Sequence, residues 1–115
     1  ARSLEFRPEA VRFVREGLSH TSAMIHGQAK GEGEPPNRHV SGQQLCLGLR
    51  DYALRQYGAL ARTVLERWGI SRTEDFGVIV YALIDDGQLR RSQQDSIEDF
   101  AGVYDFEDAF GEQLA

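Results

Sequence analysis

The stretch WGISRTEDFGVIVYALIDDGQLRRS, residues 68–92, leaves a chain like this the fewest ways to fold. If Gly69 is a left-handed residue just past a helix end, Leu65 and Ile70 fall where the apolar pair of a Schellman motif belongs. Ser71 then stands as N-cap of the next helix, with Glu74 three residues on to complete a capping box. Two helices separated only by Gly69, Ile70 and Ser71 carry the helix-turn-helix signature. The second of them, expected over residues 72–86, buries Phe76, Ile79, Val80 and Leu83 and stops at Gly87.

The rest of the chain arranges itself around that unit. Pro8 suits a first helical turn, and Val11, Val14 and Leu18 recur at helical spacing, predicting a helix over 8–25 with Met24 and Ile25 extending its apolar face. Arg12 and Arg15 lie off that stripe and are expected in solvent. Residues 27–38, GQAKGEGEPPNR, contain three glycines and two prolines and no large apolar side chain, and so read as a flexible loop. Ser41 with Gln44 forms a capping box, and Val40 with Leu45 a hydrophobic staple, so the next helix starts there. It carries Leu45, Leu49, Tyr52 and Ala53 on one stripe, with Cys46 beside it and Leu47 and Leu54 on other sides, and Gly58 ends it. A third helix over 59–68 is expected to bury Leu60, Val64, Leu65 and Trp68.

Beyond Gly87, the residues Gln88, Leu89, Arg90 and Arg91 suit one strand of a small wing. Asp95 and Glu98 open a short helix that Gly102 closes, and Asp105 begins a last one carrying Phe106 and Phe110. The triplets Glu74-Asp75-Phe76 and Glu98-Asp99-Phe100 echo each other, each three residues past a capping residue. Acids in a first turn suit the positive end of the helix dipole. The expected fold is mainly α: a compact single-domain helical bundle spanning 1–115, with a helix-turn-helix-like centre and room for a small β wing. Its 115 residues are enough for one core.

Charge sorts the functional readings. Residues 1–70 hold ten Lys or Arg against seven Asp or Glu, whereas residues 71–115 hold three against eleven. An acidic C-terminal part repels phosphate. Asp85 and Asp86 near a helix C-terminus oppose the dipole and call for a cation such as Arg90 or Arg91. On the same helix Glu74, Val78, Tyr81 and Asp85, spaced by four, three and four, form a second stripe of two acids around two apolar groups. The C-terminal aromatics cover Val78 and Tyr81, or the patch is an interface. Together with Glu98 and Asp99, the stripe is the candidate partner-binding surface, for another protein with a basic face.

The helix-turn-helix outline over 59–92 resembles winged helices, which read DNA by offering Arg, Lys, Asn or Gln to the bases. Here that helix offers Arg72 and otherwise acids, so a nucleic-acid-binding regulator would have to work through Arg50, Arg55, Arg62 and Arg67. Catalytic patterns are missing. The chain has no GxSxG, P-loop or GxGxxG, and His20, His26 and His39 match no metal spacing. Cys46 with Arg50 one turn on is the single nucleophile candidate, against its reading as a small core residue. No cofactor and no metal are expected. One cysteine cannot form an internal disulfide, and no run approaches the ~20 apolar residues of a membrane span, which predicts a reducing cytoplasm and no membrane.

As a whole, the run HVSGQQLCLGLRDYALRQYGALARTVLERWGISRTEDFGVIVYALIDDGQLRRSQQDSIEDFAGVYDFEDAF resembles a small uncharacterised family of Planctomycetes and Verrucomicrobia. The resemblance covers residues 39–110 and implies a bacterial cytoplasmic protein. It transfers no catalytic residues. The leading expectation is a non-enzymatic interaction or adaptor module of open oligomeric state.

Overall fold

The capping box at Ser41 sets the start of the central helix. In a computed structural model that describes residues 6–26, 40–89 and 96–110, Gln44 N–H donates to Ser41 Oγ (3.0 Å) and Ser41 N–H to Gln44 Oε1 (2.9 Å). Helix α2, Gly42–Tyr57, follows at once and turns Leu45, Cys46, Leu49 and Ala53 into the core. Helix α1, Pro8–His26, crosses it antiparallel: Phe13 meets Tyr52 and Tyr57, whereas Gly17 meets Leu49 and Thr21 meets Gly48.

The crossing is close because both helices lack a side chain where they touch. A Cβ on Gly17 would lie 2.1 Å from Leu49 Cδ2, and one on Gly48 would lie 1.8 Å from Thr21 Oγ1 and 2.6 Å from Thr21 Cβ. Thr21 is fully buried, its hydroxyl donating to Gly17 O at 2.7 Å, so it enters the core with its polar atom satisfied. Consequently the buried stripe of α1 is Ala10, Phe13, Val14, Gly17 and Thr21. Val11 and Leu18, expected at its centre, sit on its edge, and Met24 and Ile25 are exposed. Small residues let backbones approach; a stripe read by counting large apolar side chains is rotated away from them.

The connection to the fourth helix has the expected chemistry. Helix α3, Ala61–Arg67, ends in a Schellman motif: Gly69 takes φ 92°, Ile70 N–H donates to Leu65 O (2.9 Å) and Gly69 N–H to Glu66 O (3.0 Å). Leu65 and Ile70 are fully buried. The start of α3 differs from expectation, because a 3-10 turn, Gly58–Leu60, precedes it. Residues there advance about 120° each instead of 100°. That rotates Leu60 off the buried face, and it is 61% exposed; Val64 and Trp68 are half-buried.

Helix α4, Thr73–Asp85, begins one residue later than the sequence suggests. Ser71 does not cap it, and Glu74 does not close the box. Asp75 reaches back instead, accepting from the N–H groups of Ser71 (2.9 Å) and Arg72 (3.3 Å). At its far end a second Schellman motif forms around Gly87, with Gln88 N–H on Leu83 O at 2.9 Å and Gly87 N–H on Ile84 O at 3.0 Å. Leu89 N–H also turns back to Leu83 O. These bonds commit the backbone that a wing strand needs, and no strand occurs among the described residues. Arg90, Arg91 and Asp95, like the loop 27–38, lie outside them.

The C-terminal segment closes the bundle. A 3-10 turn, Ile97–Phe100, is capped by Ser96, whose Oγ accepts from Glu98 N–H (3.1 Å); Phe100 slots between α2 and α4. A Cβ on Gly42 would come within 2.9 Å of the Phe100 ring, and a Cβ on Gly77 within 2.9 Å from the other side. Buried Thr73 donates to Phe100 O (2.7 Å) and accepts from Val103 N–H (3.2 Å). Tyr104 O–H donates to Cys46 O at 2.9 Å. Helix α5, Phe106–Phe110, then lays Phe106 edge-on to Phe110 (4.9 Å) and tilted against Phe76 (6.1 Å). The result is a mainly helical bundle.

Gly48→Ala should therefore destabilise the protein, although alanine is the better helix former. Overpacking against Thr21 costs about 1–3 kcal/mol, against a propensity gain of about 1 kcal/mol. A net loss, read as a lower urea midpoint at unchanged slope, is expected; Gly58→Ala is no control for it, since Gly58 has positive φ, whereas an exposed α2 change such as Gln43→Ala is.

Candidate interaction surface

The second stripe of α4 is divided by the docked C-terminal segment. The Glu74 carboxylate accepts from Gly102 N–H at 3.1 Å, so this acid fastens the segment to the helix. The Tyr81 ring meets Phe100 edge to face, 6.5 Å between centroids at 89°, and is half-buried. Val78, one position from the Gly77 slot, remains 45% exposed, and Asp85 is exposed. The 3-10 turn packed on α4 adds Ile97, 46% exposed, with Glu98 exposed and Asp99 half-buried. Of the residues singled out in the sequence, Val78, Asp85, Glu98 and Asp99 thus stay at the surface, while Glu74 and Tyr81 serve the internal joint. Ile97 was missed: as an isolated apolar residue between acids, it gave no periodic signal.

The basic residues of α2 and α3 are partly neutralised. Arg55 Nε donates to Asp51 Oδ2 (2.7 Å) and Arg62 Nε to Glu66 Oε2 (3.0 Å), each within one helical turn. Arg67 is exposed and Arg50 half-buried. At the C-terminus of α4, Gln88 Nε2 donates to Asp86 Oδ2 (2.9 Å) while its Oε1 accepts from Arg15 of α1. Arg15 thereby brings a cation to a helix end where two acids oppose the dipole, from a residue expected to be merely solvated.

A polar cluster between α1 and α2 escapes any local reading. His20 Nε2 and Arg55 Nε share Asp51 Oδ2, at 2.8 Å and 2.7 Å. A carboxylate only accepts, so His20 carries its proton on Nε2. These hydrogen bonds, first from His20 and then from Arg55, hold the Asp51 carboxyl below its ordinary 3.8. Beside it Tyr52 O–H donates to Glu16 Oε1 (3.0 Å), and burial followed by that bond raises the phenol. His20 and Asp51 lie 31 residues apart, so only the crossing joins them.

Cys46 does not form the nucleophile that Arg50 suggested. It is fully buried, and burial, followed by the charge of Glu74, pushes its thiol up to about 12, so it stays protonated at neutral pH. Burial likewise raises the hydroxyl of Tyr104. Among the described residues no three His, Cys, Asp or Glu side chains are grouped to hold a metal ion, and no helix is long and apolar enough to cross a membrane. No protein-family model matches the chain, nor does any curated protein or solved structure.

The lowered Asp51 value carries a sign. The stabilisation is fully present above the unfolded carboxyl value near 3.8 and fades as pH falls through the lower folded one. Asp51→Asn should cost about 0.5–1 kcal/mol at neutral pH, the modest value proper to a part-exposed pair. Urea titrations at pH 7 and pH 3 should show the difference between variant and parent shrinking in acid.

Proposed function

We infer that this chain is a protein-interaction module that docks on a basic partner surface through the acidic side built from α4 and the Ile97–Phe100 turn. The supporting observation is the pairing of two exposed apolar groups, Val78 and Ile97, on packed elements that also carry Asp85, Glu98 and Asp99. An apolar centre with a charged rim suits partner recognition, the charges setting specificity and encounter rate. The balance of three cations to eleven acids after residue 70 favours a basic partner. The internal pairing of Arg55 and Arg62 weakens the nucleic-acid alternative. The resemblance described above would place the module in a bacterial cytoplasm.

Asp85→Lys with Glu98→Lys changes two exposed side chains and should leave circular dichroism unaltered. Capture from native lysate at low salt should fall at least fivefold for this variant, and parent capture should weaken as salt shortens the Debye length from about 10 Å toward 3 Å. Equal recovery by parent and variant would sink the reading. Steeply salt-dependent binding to duplex DNA that Arg67→Glu abolishes would support the alternative instead.

A further inference from the structure

An open cleft lies where α1 passes the start and end of the α3 region, lined by Glu9, Arg12, Phe13, Glu16, Tyr57 and Trp68. The acidic surface of α4 plays no part in it. Its aromatic wall is a three-ring cluster. Tyr57 and Trp68 stand nearly perpendicular, 5.9 Å apart at 82°, and Phe13 packs behind them at 6.5 Å and 5.7 Å. Phe13 is buried, whereas Tyr57 and Trp68 are half-buried and keep surface toward solvent.

Polar lining comes from one face of α1, where Glu9, Arg12 and Glu16 recur at spacings of three and four. All three are exposed, and carboxylates outnumber guanidinium two to one. Glu16 is oriented by the Tyr52 hydroxyl on one of its oxygens. Neither Glu9 nor Arg12 takes part in an ion pair among the described residues. In this edge-to-face pair the ring that points its edge at its neighbour keeps its own face free, so the corner between the rings offers negative quadrupole, and adjoining carboxylates add full charge. A cation with an apolar coat satisfies both, since it is cheap to desolvate against the rings and is still attracted by the acids.

We propose that the cleft between α1, Tyr57 and Trp68 binds a quaternary ammonium group, which rests in the corner between the two rings and is neutralised by Glu9 and Glu16. The group recognised is the same whether it is a free small molecule such as choline or the head of a trimethylated lysine side chain. Arg12 works against it and sets a ceiling on affinity.

Trp68 is the sole tryptophan, so the site reports on itself. Choline, its neutral tert-butyl analogue and a trimethyllysine peptide would each be titrated into the full chain at constant ionic strength. The readouts are Trp68 fluorescence and the indole N–H resonance. Saturable shifts with both cations and a much smaller response to the neutral analogue are expected, the tighter cation identifying the source. Glu9→Gln and Glu16→Gln should each weaken binding about threefold, and Arg12→Gln should tighten it by a similar factor. All three side chains are exposed and the two Glu→Gln changes are nearly isosteric, so folding is not at stake. The proposal is overturned by an equal response to the neutral analogue, by affinity untouched in the variant carrying both Glu9→Gln and Glu16→Gln, or by no saturation below about 0.1 M, the affinity that two exposed cation–π contacts together provide.

Discussion

Two missing side chains on α2 shape the whole bundle. At Gly48 the helix admits Thr21 of α1 to backbone distance, and at Gly42 it admits the ring of Phe100. A methyl group at either place would push the approaching element outward in an interior that packs without slack. Because both approaches are to one helix, α2 fixes the position of α1 on one side and of the C-terminal segment on the other. The second contact also needs Gly77, which brings α4 to the same ring. Phe100 therefore joins α2, α4 and the tail in one place, and the Thr73 hydroxyl locks the tail's backbone there with two hydrogen bonds.

What reaches the surface follows from those joints. Seating Phe100 draws Tyr81 inward as an edge-to-face partner and recruits Glu74 to Gly102, leaving Val78 and Ile97 bare on either side of the seam. The α1 crossing has the parallel effect at the other end. It packs Phe13 against Tyr57 and Trp68 and brings the Glu9, Arg12 and Glu16 face to the same cleft as these rings. Among the described residues the Arg–carboxylate ion pairs are local, Arg55 with Asp51 in α2 and Arg62 with Glu66 in α3, each one helical turn apart. Of the C-terminal acids, Glu74, Asp75 and Asp86 are engaged within the molecule, and Asp85 is left to solvent or a partner.

Most helix ends were legible because their causes are local. The box at Ser41, the left-handed Gly69 with its Leu65 and Ile70 pair, and the stop at Gly87 all depend on residues within one turn. The Ile97–Phe100 turn starts after its cap Ser96, and the start of α4 slipped by one residue for an equally physical reason. Either of two adjacent acids can serve the cap, and Glu74 was claimed by Gly102, leaving the work to Asp75. A wing strand at Gln88 and Leu89 was read from side-chain type alone. Their N–H groups are spent on Leu83 O, which no side-chain pattern reveals.

The sequence by itself determined the mainly helical class, the order of the elements, most of their ends and the acidic bias of the C-terminal part. Each of these is set by neighbours in the chain: caps, glycine stops, apolar periodicity and charge count. Only the tertiary structure decided which face of α1 is buried, that His20 meets Asp51, and that Tyr81 is covered while Val78 is not. It also brought Glu9, Glu16, Tyr57 and Trp68 around one cleft. These depend on how closely two helices can approach, and that distance is governed by the absence of a side chain at Gly17, Gly42, Gly48 and Gly77. A pattern of large apolar residues passes over such positions.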